Sequence, residues 1–326
     1  ESLWVQICWL YKHPEKCHGG NHWLENLITL VIGSLQFNGD KATSIYNSSI
    51  KNLEKELQTQ ILDDGGHEER SASYHILLLD RLTELACVIK KTKRLRINWL
   101  DEAISKMTNF AQCIRLKNNQ FPNFNDSPHN GCPNIDTVIN FAKCFLNGKE
   151  EGNSSLRSLL LLDTKKINFK KSKKIMSFEV GPLINLKNTG WCLMRPNSLW
   201  ELVIKYGKSC PMHLPSHAHS DILSFDLFYN GNPIIVETGT SLYGNSLIRD
   251  YERSGQAHNI MQIAKGNSYR EYKNIKWQES VDVWGNFRAG KKANCYDFQS
   301  SYRDKRKKFF IKSFHDGFNK IGAKYG

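Results

Sequence analysis

The sequence predicts an α + β multidomain chain, a helical half followed by an antiparallel β half. Three observations predict it. Apolar residues recur at spacings of three and four over the first 150 or so positions, alternate from about residue 175 onward, and make up 40% of the 326 residues. With 11% aromatics and only 9 Pro, that apolar content excludes a disordered chain, because it can offset the entropy of ordering. At this length two domains of roughly 100–200 residues each is the starting expectation.

The helical half reads in order. Trp4, Ile7 and Cys8 share a face, as do Leu24, Leu27, Ile28 and Val31, then Ile76, Leu79, Leu82 and Leu85, then Ile104, Met107 and Phe110. Two loops interrupt it. Asp63-Asp64-Gly65-Gly66 is a turn-forming cluster, and Phe121-Pro122-Asn123-Phe124-Asn125-Asp126 is too rich in Pro and Asn to continue a helix. The helical domain is placed at 1–160, a lysine-rich connector at 161–180 and the β domain at 181–326.

In the β half, Leu223, Phe225, Leu227 and Tyr229 point to one face while Ile222, Ser224, Asp226 and Phe228 point to the other, so a strand begins at Ile222. Asn230-Gly231 ends it with a two-residue type I′ signal, and Pro233 to Glu237 returns as its partner. A further apolar strand is expected at Ile260 to Ile263.

Net charge is +13, from 45 Lys+Arg against 32 Asp+Glu, which points to an anionic partner. The excess is concentrated in residues 161–176 and 265–326 and is absent from the early helices. Steering of a polyanion and ordinary solvated lysines both account for it. No known basic motif or fold accompanies the charge, which argues against nucleic-acid binding. The longest apolar runs, Leu27 to Leu35 and Leu156 to Leu162, fall short of the ~20 residues of a membrane span, so none is expected. Nine scattered Cys with no CxxC pair argue against a disulfide framework and a thiolate zinc cluster; most are read as buried thiols. The chain opens at Glu1 with no Met and no leader, which reads as a removed leader or a fragment and leaves localisation open.

The densest polar cluster is Ser216-His217-Ala218-His219-Ser220-Asp221. On an extended backbone His217, His219 and Asp221 share a face within ~7 Å, a spacing used by metal and acid–base sites; a solvated loop is the bland alternative. Glu237 and His258 could complete a ligand set of two imidazoles and a carboxylate suited to zinc, or be an edge-strand Glu and a turn His. In the helical half, Asn21 and Glu25 lie at i and i+4, and Asn21 could be a simple N-cap. Tyr74 follows Arg70 by one turn and could equally be a core tyrosine with a satisfied hydroxyl.

Taken together and in order, Asn21-His22…Glu25-Asn26, Asp63 to Ser71 with Tyr74-His75, Pro122…Phe124-Asn125-Asp126, His217 to Asp221 with Leu223-Ser224-Phe225, Gly239-Thr240…Tyr243-Gly244 and His258-Asn259 resemble the heparinase II/III-like polysaccharide lyases, related to alginate lyases. The resemblance implies an incomplete (α/α) toroid followed by an antiparallel β-sandwich, with a cleft between them for an acidic polysaccharide. The chain looks cut at both ends beside such relatives. The implied reaction is β-elimination at a uronic acid, giving an unsaturated uronate end.

By that resemblance Asn21 neutralises the uronate carboxyl with His22 beside it, Tyr74 is the acid and the base, and His217 is a second acid/base residue. Glu25, Arg70, Asn125 and Arg253 are the substrate-binding candidates, and His219, Glu237 and His258 the ligands of a structural Zn2+. The resemblance also favours a periplasmic or secreted, bacterial protein. A Tyr with a pKa near 10 needs a positive neighbour to act as a base near neutrality, and Arg70 or a histidine is a candidate for that neighbour. Two rival readings stand beside the lyase: a glycan-binding or assembly protein without turnover on the same scaffold, and a zinc-dependent hydrolase using His219, Glu237 and His258. The particular glycan, exo or endo action and oligomeric state are not legible.

Overall fold

The computed structural model describes residues 1–17, 19–147, 156–162, 181–264, 277–306 and 308–320. They fall into two compact units, one from the described residues of Glu1–Glu68, Tyr74–Gln112 and Cys132–Phe178, the other from those of Glu69–Ser73, Cys113–Gly131 and Glu179–Gly326. From residue 163 on, the expected connector lies outside the described residues, as do 265–276 of the late basic stretch.

The first unit is helical: α1 (Ser2–Lys12), α2 (Gly20–Ser34), α3 (Asp40–Gln60), most of α4 (Ala72–Lys93) and α5 (Asn98–Ile114), then α6 (Ile135–Asn147) and α7 (Leu156–Leu161). The predicted faces are its core. Leu24, Ile28, Val31, Ile76, Leu79, Leu82, Leu85, Ile104 and Met107 are fully buried. Each such aliphatic side chain contributes about 1.5–3 kcal/mol by leaving water. Ile7 of α1, Leu30 of α2 and Ile45 of α3 form a second cluster, flanked by Trp4 and Leu10. The Asp63-Asp64-Gly65-Gly66 turn is closed by a bridge between Ile61 and His67. It requires glycine at position 65, where φ is +87° and a Cβ would lie 2.2 Å from the Lys106 carbonyl oxygen.

The second unit is built on an antiparallel meander in the order β1 (Leu183–Leu186), β2 (Trp191–Met194), β3 (Trp200–Lys205), β4 (Phe225–Tyr229) and β5 (Asn232–Ile235). Trp191 pairs with Lys205 at one end of the β2–β3 ladder, and Trp200 with Tyr229 at one end of the β3–β4 ladder. The Asn230-Gly231 turn forms as expected, with φ of 50° and 78°. Helix α8 (Leu247–Arg253) is followed by two separate hairpins, β6 (Val281–Trp284) with β7 (Arg288–Lys292) and β8 (Cys295–Arg303) with β9 (Lys308–His315), and by the short α9 (Gly317–Lys320).

Two strand expectations need correction. The strand expected from Ile222 begins only at Phe225, because Leu223 has φ of 63° and the chain turns there before entering the sheet. Residues 260–263 form no strand; among the described residues a single bridge pairs Ala264 with Trp277 beside a bond from the Gln278 N–H to the Ile263 carbonyl. Of the nine cysteines, Cys87, Cys144, Cys192 and Cys210 are buried, whereas Cys17 is exposed. Among the described residues no helix is long and apolar enough to cross a membrane.

Candidate active site

In the second unit a single carboxylate organises the polar core. Asp126, fully buried, receives the His217 Nδ1 at 2.8 Å on Oδ2 and the His219 Nε2 at 2.7 Å on Oδ1. Arg249 of α8 donates Nη1 to Oδ1 at 2.5 Å and Nη2 to Oδ2 at 2.7 Å, and the Thr240 hydroxyl donates to Oδ1 at 2.7 Å. Burial would raise this carboxyl, but hydrogen bonds from His217, His219 and Arg249 hold it well below the usual carboxylate range.

Backbone contacts bring the pieces together. The Ser71 hydroxyl donates to the Asp126 carbonyl oxygen at 2.6 Å, and the Ala72 N–H donates to the Ser127 hydroxyl at 3.0 Å. Those bonds fix residues 69–73 beside the loop at 125–127, so Glu69 lies 3.2 Å from the His217 Nε2. His217 therefore sits between two carboxylates. Burial disfavours its charged form, yet the hydrogen bonds to Asp126 and Glu69 outweigh that and raise it to about 9. His219 goes the other way: full burial lowers it despite Asp126. A neutral His219 that donates Nε2–H to Asp126 keeps a lone pair on Nδ1, and that atom is buried with no hydrogen-bond partner.

The next layer is a buried ion pair. Lys205, at the end of β3, is 0% exposed and donates to Asp221 Oδ1 and Asn125 Oδ1, each at 2.5 Å. Burial would raise Asp221, but Lys205, with His258 and His219, keeps it low, and its hydrogen bond goes to Lys205 and to no histidine that it was expected to join. Asn125, with φ of 57°, also donates Nδ2 to the carbonyls of Arg70 and Ser209. Its side chain is fully engaged inside the protein.

The zinc candidates are placed as follows. Glu237 contacts the His258 Nδ1 with one carboxylate oxygen and accepts the Ser224 hydroxyl and the Asn259 N–H with the other. The His219 and His258 rings lie 5.3 Å apart, and the His258 Nε2, like the His219 Nδ1, is buried without a hydrogen-bond partner. The two orphaned imidazole nitrogens are two of the donors that a zinc ion would take, and Glu237 is occupied in orienting His258. Among the described residues no group of three or more His, Cys, Asp or Glu is arranged to hold a metal.

Arg253 has its guanidinium on backbone carbonyls, with Nε and Nη2 on Ala218, Nη1 on Gly285 and Nη2 on Arg288, at 2.8–3.1 Å. It is 1% exposed, and it braces the backbone between His217 and His219. Arg70, with φ of 54°, donates to the carbonyls of Thr189 and Asn188.

In the first unit, Gly19 is the N-cap of α2, so Asn21 is inside the helix and does not cap it. His22, one residue on, lies 3.2 Å from Glu15 through Nδ1, and Glu25 accepts from Arg81 at 3.0 Å. Asn21, Glu25 and Tyr74 are each half-buried, Tyr74 in the first turn of α4.

Sequence reasoning passed over Asp126, Glu69, Thr240 and Arg249. Three stood inside quoted motifs. No local pattern marks an Asp that works through contacts 91 and 123 residues away in the chain.

A family profile described as heparinase II/III N-terminus matches residues 9–150, and one described as heparinase II/III-like, C-terminal, matches 180–325. The chain belongs to the heparinase II/III-like family, a family of polysaccharide lyases. It is similar to the crystal structure of heparinase III, at 16% identity and a TM-score of 0.62 over 91% of this chain and 44% of that one. It is similar to a mutant of heparan sulfate lyase HepC from Pedobacter heparinus, at 17% identity and a TM-score of 0.56 over 80% and 39%. A third likeness, to the heparinase III-BT4657 gene product, has 14% identity and a TM-score of 0.53 over 95% and 59%. These likenesses carry the fold, an incomplete (α/α) toroid followed by an antiparallel β-sandwich. The chain spans 44% of that heparinase III and 39% of that HepC structure. Among curated proteins none matches the chain.

Proposed function

We propose that this chain carries the catalytic residues of a polysaccharide lyase that cleaves a uronate-containing acidic polysaccharide by β-elimination. The observation that carries the reading is His217, buried between Glu69 and Asp126 in a chain of a lyase family. An imidazole raised to about 9 is charged at neutral pH. It can then donate a proton or stabilise negative charge, and it cannot accept a proton. That division leaves the base to Tyr74, which removes the proton α to the carboxylate; a protonated tyrosine or His217 then supplies the proton to the leaving oxygen. The His217 Nε2, at 3.2 Å from Glu69, is the looser of its two contacts and the one from which a proton would leave. Asn21 donates to the uronate carboxyl, assisted by His22, where charge builds in the transition state. Of the substrate-binding candidates, Glu25 is the half-buried one, while Arg70, Asn125 and Arg253 are buried with their side chains on backbone carbonyls.

Zinc belongs to the same proposal as a structural ion. His219 Nδ1 and His258 Nε2 are its nitrogen donors and Glu237 the neighbouring carboxylate. A bound ion there adds stability, and no chemical step runs through it.

The test is a panel of heparan sulfate, alginate and other uronate polymers, with ultraviolet absorbance and mass spectrometry reading unsaturated products. Tyr74→Phe and His217→Ala each lose most of the activity with an unchanged fold. Wild-type turnover in Tyr74→Phe would overturn the assignment. Saturated products lost on chelation would select the hydrolase, and glycan binding without product the non-catalytic scaffold.

A further inference from the structure

One carboxylate holds two imidazoles that belong to different jobs. His217 is the acid/base candidate and His219 the zinc candidate, yet each leans on a separate oxygen of Asp126. The carboxylate is itself locked. Arg249 grips both oxygens in a fork, and its Nε and Nη2 are tied in turn to Asn286, Nη2 at 3.1 Å from the carbonyl oxygen. The Arg249 guanidinium carbon lies 5.2 Å from the Tyr243 ring centre and 5.9 Å from that of Phe287. Thr240 adds a fifth donor, bonded both to Asp126 and to Arg249. Turning the carboxylate would break contacts to two histidines, an arginine and a threonine together, all in the buried interior.

We infer that Asp126, clamped by Arg249, is the positioning residue of this site, setting the ring orientations of His217 and His219 jointly from one carboxylate. The consequence for His217 is specific. With Nδ1 fixed on Asp126, the ring has one rotational setting, and Nε2 is directed to Glu69, the position from which a proton can be passed. The Arg253 brace on the Ala218 carbonyl holds the backbone between the two histidines, so side chain and main chain are both constrained. The role in catalysis rests on the lyase reading above; the joint orientation of the rings does not.

Arg249→Lys tests it, because lysine keeps the charge on Asp126 but loses the two-pronged grip. Asp126→Asn is the second variant. Each is compared with the parent chain by nitrogen-15 histidine spectra, with His217→Gln and His219→Gln giving the assignments, and by steady-state kinetics on heparan sulfate. The expected result is that the His217 and His219 ring signals shift together in Arg249→Lys. kcat should fall about 10- to 100-fold with KM changed less than about 3-fold, as for lost outer-shell contacts. Ring signals that stay in place in Arg249→Lys, or that move for His219 alone, overturn the inference whatever the kinetics. Should the parent chain make no unsaturated product from any uronate polymer, the lyase reading fails, and the ring signals alone decide the positioning role. Should Asp126→Asn not fold, Arg249→Lys still decides it.

Discussion

Two buried histidines, one in each unit, titrate in opposite directions. His75 in α4 is 1% exposed, packs against Phe110 at 4.7 Å between ring centres and donates Nε2–H to the Met107 carbonyl oxygen at 3.0 Å. Burial outweighs that one neutral acceptor and, with a further lowering from His67, brings it down to about 3. His217 is about as deeply buried, but two carboxylates reverse the sign and raise it to about 9. Burial alone says nothing about charge; the partners do. The helical unit holds this histidine neutral, and the β unit surrounds its counterpart with ions.

Acid should therefore weaken the two units at different pH, and this is the largest effect expected. His75 has a folded pKa below its unfolded value of 6.5. Its contribution is complete above 6.5 and is lost as pH falls from there toward 3, on the order of 5 kcal/mol in all. Asp126 and Asp221 are both lowered from 3.8, so their contribution is lost only as pH drops below that value. Asp226, raised to about 7 by burial and by Glu237, strengthens the β unit as it takes up a proton. Hydrogen exchange at pH 4.5 should show peptides from α4 opening while those from β3 and β4 stay protected. His75→Leu should remove most of that sensitivity. Equal loss of protection in both sets would break the contrast.

The ionic interior makes a second prediction. Asp221→Ala leaves the Lys205 ammonium buried without its carboxylate, a loss of about 3–5 kcal/mol. Adding Lys205→Met to an Asp221→Leu background should restore most of it, since two fitted apolar groups replace a pair that paid heavily in desolvation. In the helical unit Leu79→Ala costs a similar roughly 2–5 kcal/mol through an unfilled cavity, and no second substitution at a charged site repairs it. Denaturant melts of the four variants decide between them. A double variant no better than Asp221→Ala would show that the pair does more than neutralise itself.

This contrast explains what could be read from the sequence. The helices were legible because Leu79, Leu82 and Leu85 repeat at the period of their own element, and the β4–β5 hairpin because Asn230-Gly231 carries its turn within two residues. The start of β4 was misplaced, since the alternation through Ile222 is real but Leu223 takes a left-handed conformation that hydrophobicity does not encode. His217 and His219 stood out by spacing. Asp126 did not, because its role comes from segments brought together by folding, and Asp221 was assigned to the histidines although Lys205, 16 residues earlier, holds it.

The smallest expected effect sharpens the comparison at the surface of the helical unit. Glu25 and Arg81 form an ion pair whose side chains are 32% and 22% exposed, and Arg81 is also paired with Glu84. Water screens such a pair, so Glu25→Gln should cost less than about 1 kcal/mol, a change in Tm of only a few degrees. If Glu25 contacts the glycan as proposed, the same variant should raise KM on heparan sulfate several-fold with kcat little changed. A fall in Tm as large as that of Asp221→Ala would mean that this partly exposed pair carries as much stability as the buried Lys205–Asp221 pair, and the contrast between them would not hold.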